Sequence, residues 1–366
     1  MKRRSMDRIR ELGQNIWLDF FSRAIMDNGK LLELIEDFGV GGITSNPSIF
    51  ETAISNSTAY DEDVHAISLE EVKDEDIFYK LAIKDIRRAT DYFAPLYAQS
   101  GGTNGFVSLE VSPKLANDAE RTIAQARSLW KSIGRKNAMI KIPGTKEGLH
   151  AIRKCTSEGI NINVTLLFGL TRYEEVADAF ILGLEDRLKL DKPIDEIVSV
   201  ASFFISRIDA AVDPLLEKNG LEELKGQVAI ACAKKAYQNY KAIFSSQRFE
   251  KLKEKGGRPQ RLLWASTTPK DPSFEDVKYV EALIGKDTIS TITIDTLKAF
   301  GDHGWAENLL EDDLAKADEI LRVIKEMKID MDLIGESLLD EGLKKFNNAF
   351  EKLMSSIQRK KILASA

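Results

Sequence analysis

One lysine stands inside an otherwise apolar stretch, Asn137-Ala138-Met139-Ile140-Lys141-Ile142-Pro143-Gly144-Thr145. The run reads as a short strand buried on both faces and closed by turn-forming Pro and Gly. Side chains alternate along a strand, so Lys141 shares a face with Met139 while Ile140 and Ile142 point the other way. An ammonium is costly to bury, so such a site favours the free amine, a nucleophile toward carbonyls. Taken alone, the lysine is better read as snorkelling past the strand end or as half of a buried ion pair.

The same alternation applied to neighbouring runs changes the odds. Asp19 ends Ile16-Trp17-Leu18-Asp19-Phe20 on the face of Trp17, and Thr44 and Asn46 share a face just before Pro47. Ser108 pairs with Glu110, Asn163 with Thr165, and Ser202 with Phe204, with Arg207 shortly after. In Leu263-Trp264-Ala265-Ser266-Thr267, Ser266 falls on the Trp264 face. Each is weak alone, because a strand-end Asp or Asn often makes a turn or caps the next helix, and Glu110 could answer some helix arginine. Together they put hydrogen-bonding groups, two carboxylates and one lysine on one face at one end, where packing alone would choose Val, Ile or Leu.

A desolvated lysine beside two acids suits imine chemistry on a carbonyl substrate. The amine adds to a ketone, loss of water needs a proton donor, and the protonated imine then acts as an electron sink. Asp19 and Glu110 could share the proton transfers, with Thr165 placing a water. Asn46, Asn163, Ser202 and Thr44 would hold sugar hydroxyls, and Arg207, Ser266 and Lys270 would suit a phosphate. The expected outcome is aldol cleavage and transfer with no metal and no organic cofactor.

The elements that must position these groups alternate between apolar runs and helical segments, the pattern of a parallel sheet. Strands are expected at 15–20, 42–46, 105–111, 138–142, 161–167, 197–203, 261–266 and 290–294. Eight such runs predict an α/β fold of the (β/α)₈ TIM-barrel type, which needs about 250 residues and tolerates insertions. A doubly wound open sheet is the alternative, but no G-x-G-x-x-G follows the first strand. The surplus falls in a helix over 76–98 after the second strand, in one or two helices over 207–255, and in a charged helical part over 306–361. There Leu343, Phe346, Phe350, Leu353 and Ile357 form a stripe that should dock on the barrel, close one end, or pair two subunits in a homodimer. With no linker in view, 1–366 reads as a single domain in which 306–366 is a helical extension.

The 366 residues, 43% hydrophobic and 30% charged, have the composition of a soluble globular protein. A net charge of −6 and the lack of a basic patch argue against nucleic acid. The basic start, Met1 to Met6, leads into no apolar run, so neither a signal peptide nor a membrane anchor is expected. Cys155 and Cys232 read as reduced residues of a cytoplasmic protein, and His65, His150 and His303 show no zinc-ligand spacing.

The chain resembles the transaldolase family. Gly42-Ile43-Thr44-Ser45-Asn46-Pro47-Ser48-Ile49-Phe50 is similar to its N-terminal signature, and Ala138 to Thr145 to its Schiff-base lysine motif. Supporting runs are Ile162 to Phe168 and Ser202 to Ile208. The resemblance implies a (β/α)₈ barrel of the pentose phosphate pathway. Such an enzyme moves a dihydroxyacetone unit from sedoheptulose 7-phosphate or fructose 6-phosphate to glyceraldehyde 3-phosphate or erythrose 4-phosphate. It implies Lys141 as imine former, Asp19 handling the proton of the cleaved hydroxyl, and Glu110 with Thr165 binding water. Asn46, Asn163 and Ser202 would contact the three-carbon unit, and Arg207 and Ser266 the phosphate. Thr268 stands where some members carry a phosphate-binding Arg, and Lys270 would take its place. Related simple aldolases have Tyr where this chain has Phe204, which favours transfer. The alternatives are an aldolase releasing free dihydroxyacetone and a non-catalytic phosphosugar-binding barrel.

Overall fold

The computed structural model describes residues 2–364, so residue 1 and the end of the expected 306–366 extension, 365 and 366, lie outside it. Eight parallel strands close into a barrel in chain order: β1 (Gln14–Leu18), β2 (Val40–Ile43), β3 (Phe106–Glu110), β4 (Ala138–Pro143), β5 (Ile162–Leu167), β6 (Ser199–Phe204), β7 (Arg261–Ala265) and β8 (Thr288–Ile292). The last pairs with the first, from Gln14 opposite Thr288 to Leu18 opposite Ile292. The strands are apolar on both faces because one face fills the barrel and the other meets the helices. Trp17 shows how tightly the filling is set: a Cβ on Gly42 would stand 2.8 Å from its indole ring, so only glycine fits there.

Every expected strand exists, but β1, β2 and β8 end earlier than the alternation suggests. β2 and β8 are cut by a helix cap. Asn46 Oδ1 accepts from the Ile49 N–H at 3.0 Å, and Pro47 opens the helix Pro47–Ser55. Thr293 Oγ1 accepts from the Thr296 N–H at 3.2 Å and starts the helix Ile294–His303. Thr145 does the same after β4, accepting from the Gly148 N–H at 2.9 Å, which explains the Pro-Gly-Thr ending of the lysine strand.

The expected insertion after β2 is the helix Asp74–Gln99. The stretch 207–255 holds three helices rather than one or two: Ser206–Lys218, Val228–Phe244 and Gln247–Lys253. Gly220 and Gly226, both at positive φ, interrupt it. The C-terminal part contains two helices, Leu314–Glu326 and Met331–Ala364. The second has 34 residues, a rod of about 51 Å. It packs against β5, the helix Leu170–Leu188 that follows it, and the helices Pro47–Ser55 and Asp61–Ser68 that follow β2. It thus spans the barrel mouth from the β5 side to the β2 side. Its stripe Leu343, Phe346, Phe350, Leu353 and Ile357 is buried within the subunit. Among the described residues no helix is long and apolar enough to cross a membrane.

Candidate active site

At the C-terminal ends of the strands lies a cavity of about 210 Å³. It gathers most of the residues singled out in the sequence: Asp19, Thr44, Asn46, Lys141, Thr165, Ser202, Phe204, Arg207, Ser266 and Lys270.

Lys141 is brought there by strand register. In the parallel ladder Glu110 is opposite Lys141 and Lys141 opposite Asn163, so the three side chains leave neighbouring strands at one level. The Lys141 amine donates to the Ser45 carbonyl at 3.0 Å and lies 3.5 Å from Glu110 Oε2. Both side chains are almost wholly buried, at 5% and 4% exposure. Glu110 and Asn163 do not line the cavity; each meets a residue that does, Glu110 the Lys141 amine and Asn163 the Ser202 hydroxyl. Asn163 accepts from Ser202 Oγ at 2.7 Å and donates to Ser108 Oγ at 3.0 Å, holding Ser202 against the cavity floor.

Electrostatics set the two acids apart from ordinary carboxylates. Burial pushes Glu110 up to about 7, against the opposing pull of Lys141. Burial also raises Asp19, opposed by Lys141, by the hydroxyl of Thr44 at 3.1 Å and by Lys270. Two oxygens nearby are buried with no hydrogen-bond partner, Glu110 Oε2 and Thr165 Oγ1. Arg207, in the first turn of the helix Ser206–Lys218, likewise has its Nε and Nη1 buried and unpartnered. Lys270 is depressed by desolvation and by Arg207. One end of the cavity therefore concentrates cationic groups in want of an anion.

On β7 the alternation misleads. Leu263 and Ala265 face the cavity, whereas Trp264 points outward, donating to the Leu283 carbonyl at 3.0 Å and packing on Phe203. Ser266 reaches the cavity because its φ of 55° breaks the alternation, and its hydroxyl meets Ser206 Oγ at 3.0 Å. Asn46 combines both of its readings, since its Oδ1 is committed to the helix cap while the residue lines the cavity. Leu166, next to Thr165, also adopts a positive φ of 61°, at a break in the β5–β6 register.

Sequence reasoning missed Ser48, Thr267, Thr291, Thr293 and Phe346, while Thr268, noted only as standing where a phosphate-binding Arg is found in relatives, lines the cavity as well. Thr291 and Thr293 carry the same alternating signal as the other strands and could have been found. Phe346 belongs to the C-terminal helix, where its stripe gives only a packing signal. Among the described residues no group of His, Cys, Asp and Glu is arranged to hold a metal ion.

Comparison with known proteins agrees with this geometry. The family model described as Transaldolase/Fructose-6-phosphate aldolase matches residues 16–357. A protein named Transaldolase from Trichodesmium erythraeum is 45% identical over 365 residues, covering 96% of either chain. One of that name from Saccharopolyspora erythraea is 42% identical, covering 97% of each, and one from Neisseria gonorrhoeae is 40% identical, covering 95% of this chain and 98% of its own. With an aminated cavity at the mouth of a closed barrel and likeness over nearly its whole length, the chain belongs to the transaldolase/fructose-6-phosphate aldolase family.

Proposed function

We propose that this protein is a transaldolase that works through an imine on Lys141, moving a dihydroxyacetone unit from sedoheptulose 7-phosphate or fructose 6-phosphate to glyceraldehyde 3-phosphate or erythrose 4-phosphate. The observation that carries the reading is a buried amine 3.5 Å from Glu110, in a cavity shared with Asp19.

The amine adds to the substrate ketone, and the resulting carbinolamine loses water. A carboxyl titrating near 7 can give and take protons at neutral pH, which suits Glu110 to that step. The unpartnered Glu110 Oε2 and Thr165 Oγ1 are suited to holding the water. The iminium then draws in the electrons of the carbon–carbon bond while Asp19 takes the proton of the neighbouring hydroxyl. Its raised affinity for protons makes it the better base. Thr44, Asn46 and Ser202 would hold hydroxyls of the three-carbon unit, with Asn163 acting through Ser202. The unpartnered guanidinium of Arg207, with Lys270 and Ser266, would take the phosphate. Phe204 lines the cavity, and Phe rather than the Tyr of related simple aldolases at this position would favour transfer over release to water.

We read 1–366 as one domain whose 306–366 extension packs on the barrel. The buried, free Cys155 and Cys232 fit a cytoplasmic location. The Leu343 and Phe350 face is used inside the subunit, so a homodimer would need another surface.

Borohydride in the presence of fructose 6-phosphate should reduce the imine and leave a stable adduct on Lys141, located by mass spectrometry. Lys141→Ala should remain folded and trap nothing. A label on another residue would refute the assignment. Turnover that persists without erythrose 4-phosphate would point instead to an aldolase.

A further inference from the structure

Among the residues lining the cavity, Phe346 alone comes from neither a barrel strand nor a segment directly following one. It is supplied by the C-terminal helix, Met331–Ala364. Two glycines let that helix lie close to the barrel end. A Cβ on Gly335 would stand 3.3 Å from the Gly169 nitrogen, and one on Gly342 would stand 2.9 Å from Leu166 Cδ2. Gly335 and Gly342 are two turns apart and Phe346 is one turn further, so all three share one side of the helix.

The rod is tied at both ends. Thr171 Oγ1 donates to Asp332 at 2.9 Å and Arg172 pairs with Glu336 at 2.5 Å near its start. Ser55 Oγ donates to Ser356 Oγ at 2.8 Å and Lys361 pairs with Asp74 at 2.8 Å near its end. Phe346 is thereby held at the wall by a braced helix, with 5% exposure. Much of the rest of the wall is hydroxyl-bearing or charged, so its ring is one of few surfaces there that offer water nothing to bond.

We propose that Phe346 is a specificity-determining residue that shields the three-carbon unit held on Lys141 from water and so favours transfer over release. The inference rests on the transaldolase reading above. After donor cleavage the enamine carbon has two fates. In transfer it bonds to the aldehyde carbon of the acceptor, whose oxygen takes a proton. In release it takes a proton itself, a water oxygen adds to the iminium carbon, and dihydroxyacetone leaves as the carbon–nitrogen bond breaks and the Lys141 amine is restored. The second fate needs bulk water at the fragment, and an aromatic wall opposes its entry.

The test compares release of dihydroxyacetone from fructose 6-phosphate alone with transfer to erythrose 4-phosphate, in the unsubstituted protein and in F346A, F346L and L353A. Leu353 is fully buried on the same helix but does not line the cavity, so L353A controls for loosened packing. F346A should raise the release-to-transfer ratio on the order of tenfold. F346L, which keeps apolar packing, should raise it less, and L353A should leave it unchanged. An unaltered ratio in F346A and F346L, or an equal rise in L353A, would overturn the proposal. Absence of any borohydride adduct in the unsubstituted protein would overturn the transaldolase reading itself, a result distinct from an unaltered ratio.

Discussion

Glu110 and Lys141 are opposite one another on adjacent parallel strands, and the carboxylate oxygen stops 3.5 Å from the amine without forming a hydrogen bond to it. The amine instead spends one proton on the Ser45 carbonyl. A pair built for stability alone would close this gap, because a buried charge gains from every hydrogen bond it completes. Here the acid keeps a free oxygen and a raised proton affinity, the properties of a group that must exchange protons with a third party.

Glu110→Gln should therefore lower the rate of adduct formation by about 10²–10⁴-fold, the usual contribution of one acid–base group. It should also change the pH dependence of stability. The folded state holds the Glu110 proton up to about 7, whereas the ordinary value is 4.5. Between those values the folded protein binds more protons than the unfolded chain, so this contribution to stability is complete at lower pH and lost as pH rises through the window. Urea unfolding at pH 5 and pH 8 should show a smaller loss in Glu110→Gln than in the unsubstituted protein. Equal losses would remove Glu110 from the role.

Thr165→Val separates function from packing. The hydroxyl is fully buried and unpartnered, so its removal should leave stability unchanged or raise it by about 1 kcal/mol. Adduct formation should nevertheless slow. A stability loss of several kcal/mol on thermal unfolding would show that the hydroxyl has a structural partner after all.

Arg23 offers a test of the scaffold apart from the chemistry. Its guanidinium meets Asp85 at 2.8 Å and Asp63 at 2.7 Å behind the loop that follows Asp19, and lies 4.2 Å over the Tyr60 ring. Arg23→Ala leaves a buried carboxylate without its cation and should cost about 3–5 kcal/mol in urea unfolding. Arg23→Lys should recover only part, because an ammonium cannot reproduce the planar two-acid contact.

The barrel was legible because parallel strands advertise themselves as apolar runs between helices, and the lysine because the neighbouring runs put acids and hydrogen-bonding groups on the same face, which a snorkelling or ion-paired lysine alone does not explain. Alternation then found Asp19, Thr165 and Ser202, which all line the cavity although Asp19 lies one residue past the end of β1 and Thr165 sits at the break in the β5–β6 register. It misassigned the inward face of β7, because the left-handed turn at Ser266 is a backbone property that no pattern of side chains encodes. It carried β2 through Thr44 to Asn46, because a capping Asn and a strand-end Asn look alike until the Ile49 N–H is seen to point at one of them. Phe346 was illegible for another reason: it reaches the cavity through a contact between residues far apart in sequence, Gly342 against Leu166, and a heptad-like stripe does not say which of its members overhangs a hole.

Arg207, proposed above to bind the phosphate, has its Nε and Nη1 shielded from water yet bonded to nothing in the protein. Leaving such donors idle costs free energy, and an anion placed between them and Lys270 recovers it through charge-assisted hydrogen bonds worth about 1.5–3 kcal/mol each. Arg207→Ala should thus raise the KM for fructose 6-phosphate by about 10- to 100-fold for the loss of one such bond. Lys270→Ala should raise it less, since that side chain is only about half-buried and its charge is partly screened by water. Trapping with unphosphorylated dihydroxyacetone supplies the contrast, because a ligand without phosphate has nothing to lose at that end. If Arg207→Ala weakened both ligands equally, the guanidinium would be shaping the cavity as a whole and the phosphate would have to bind elsewhere.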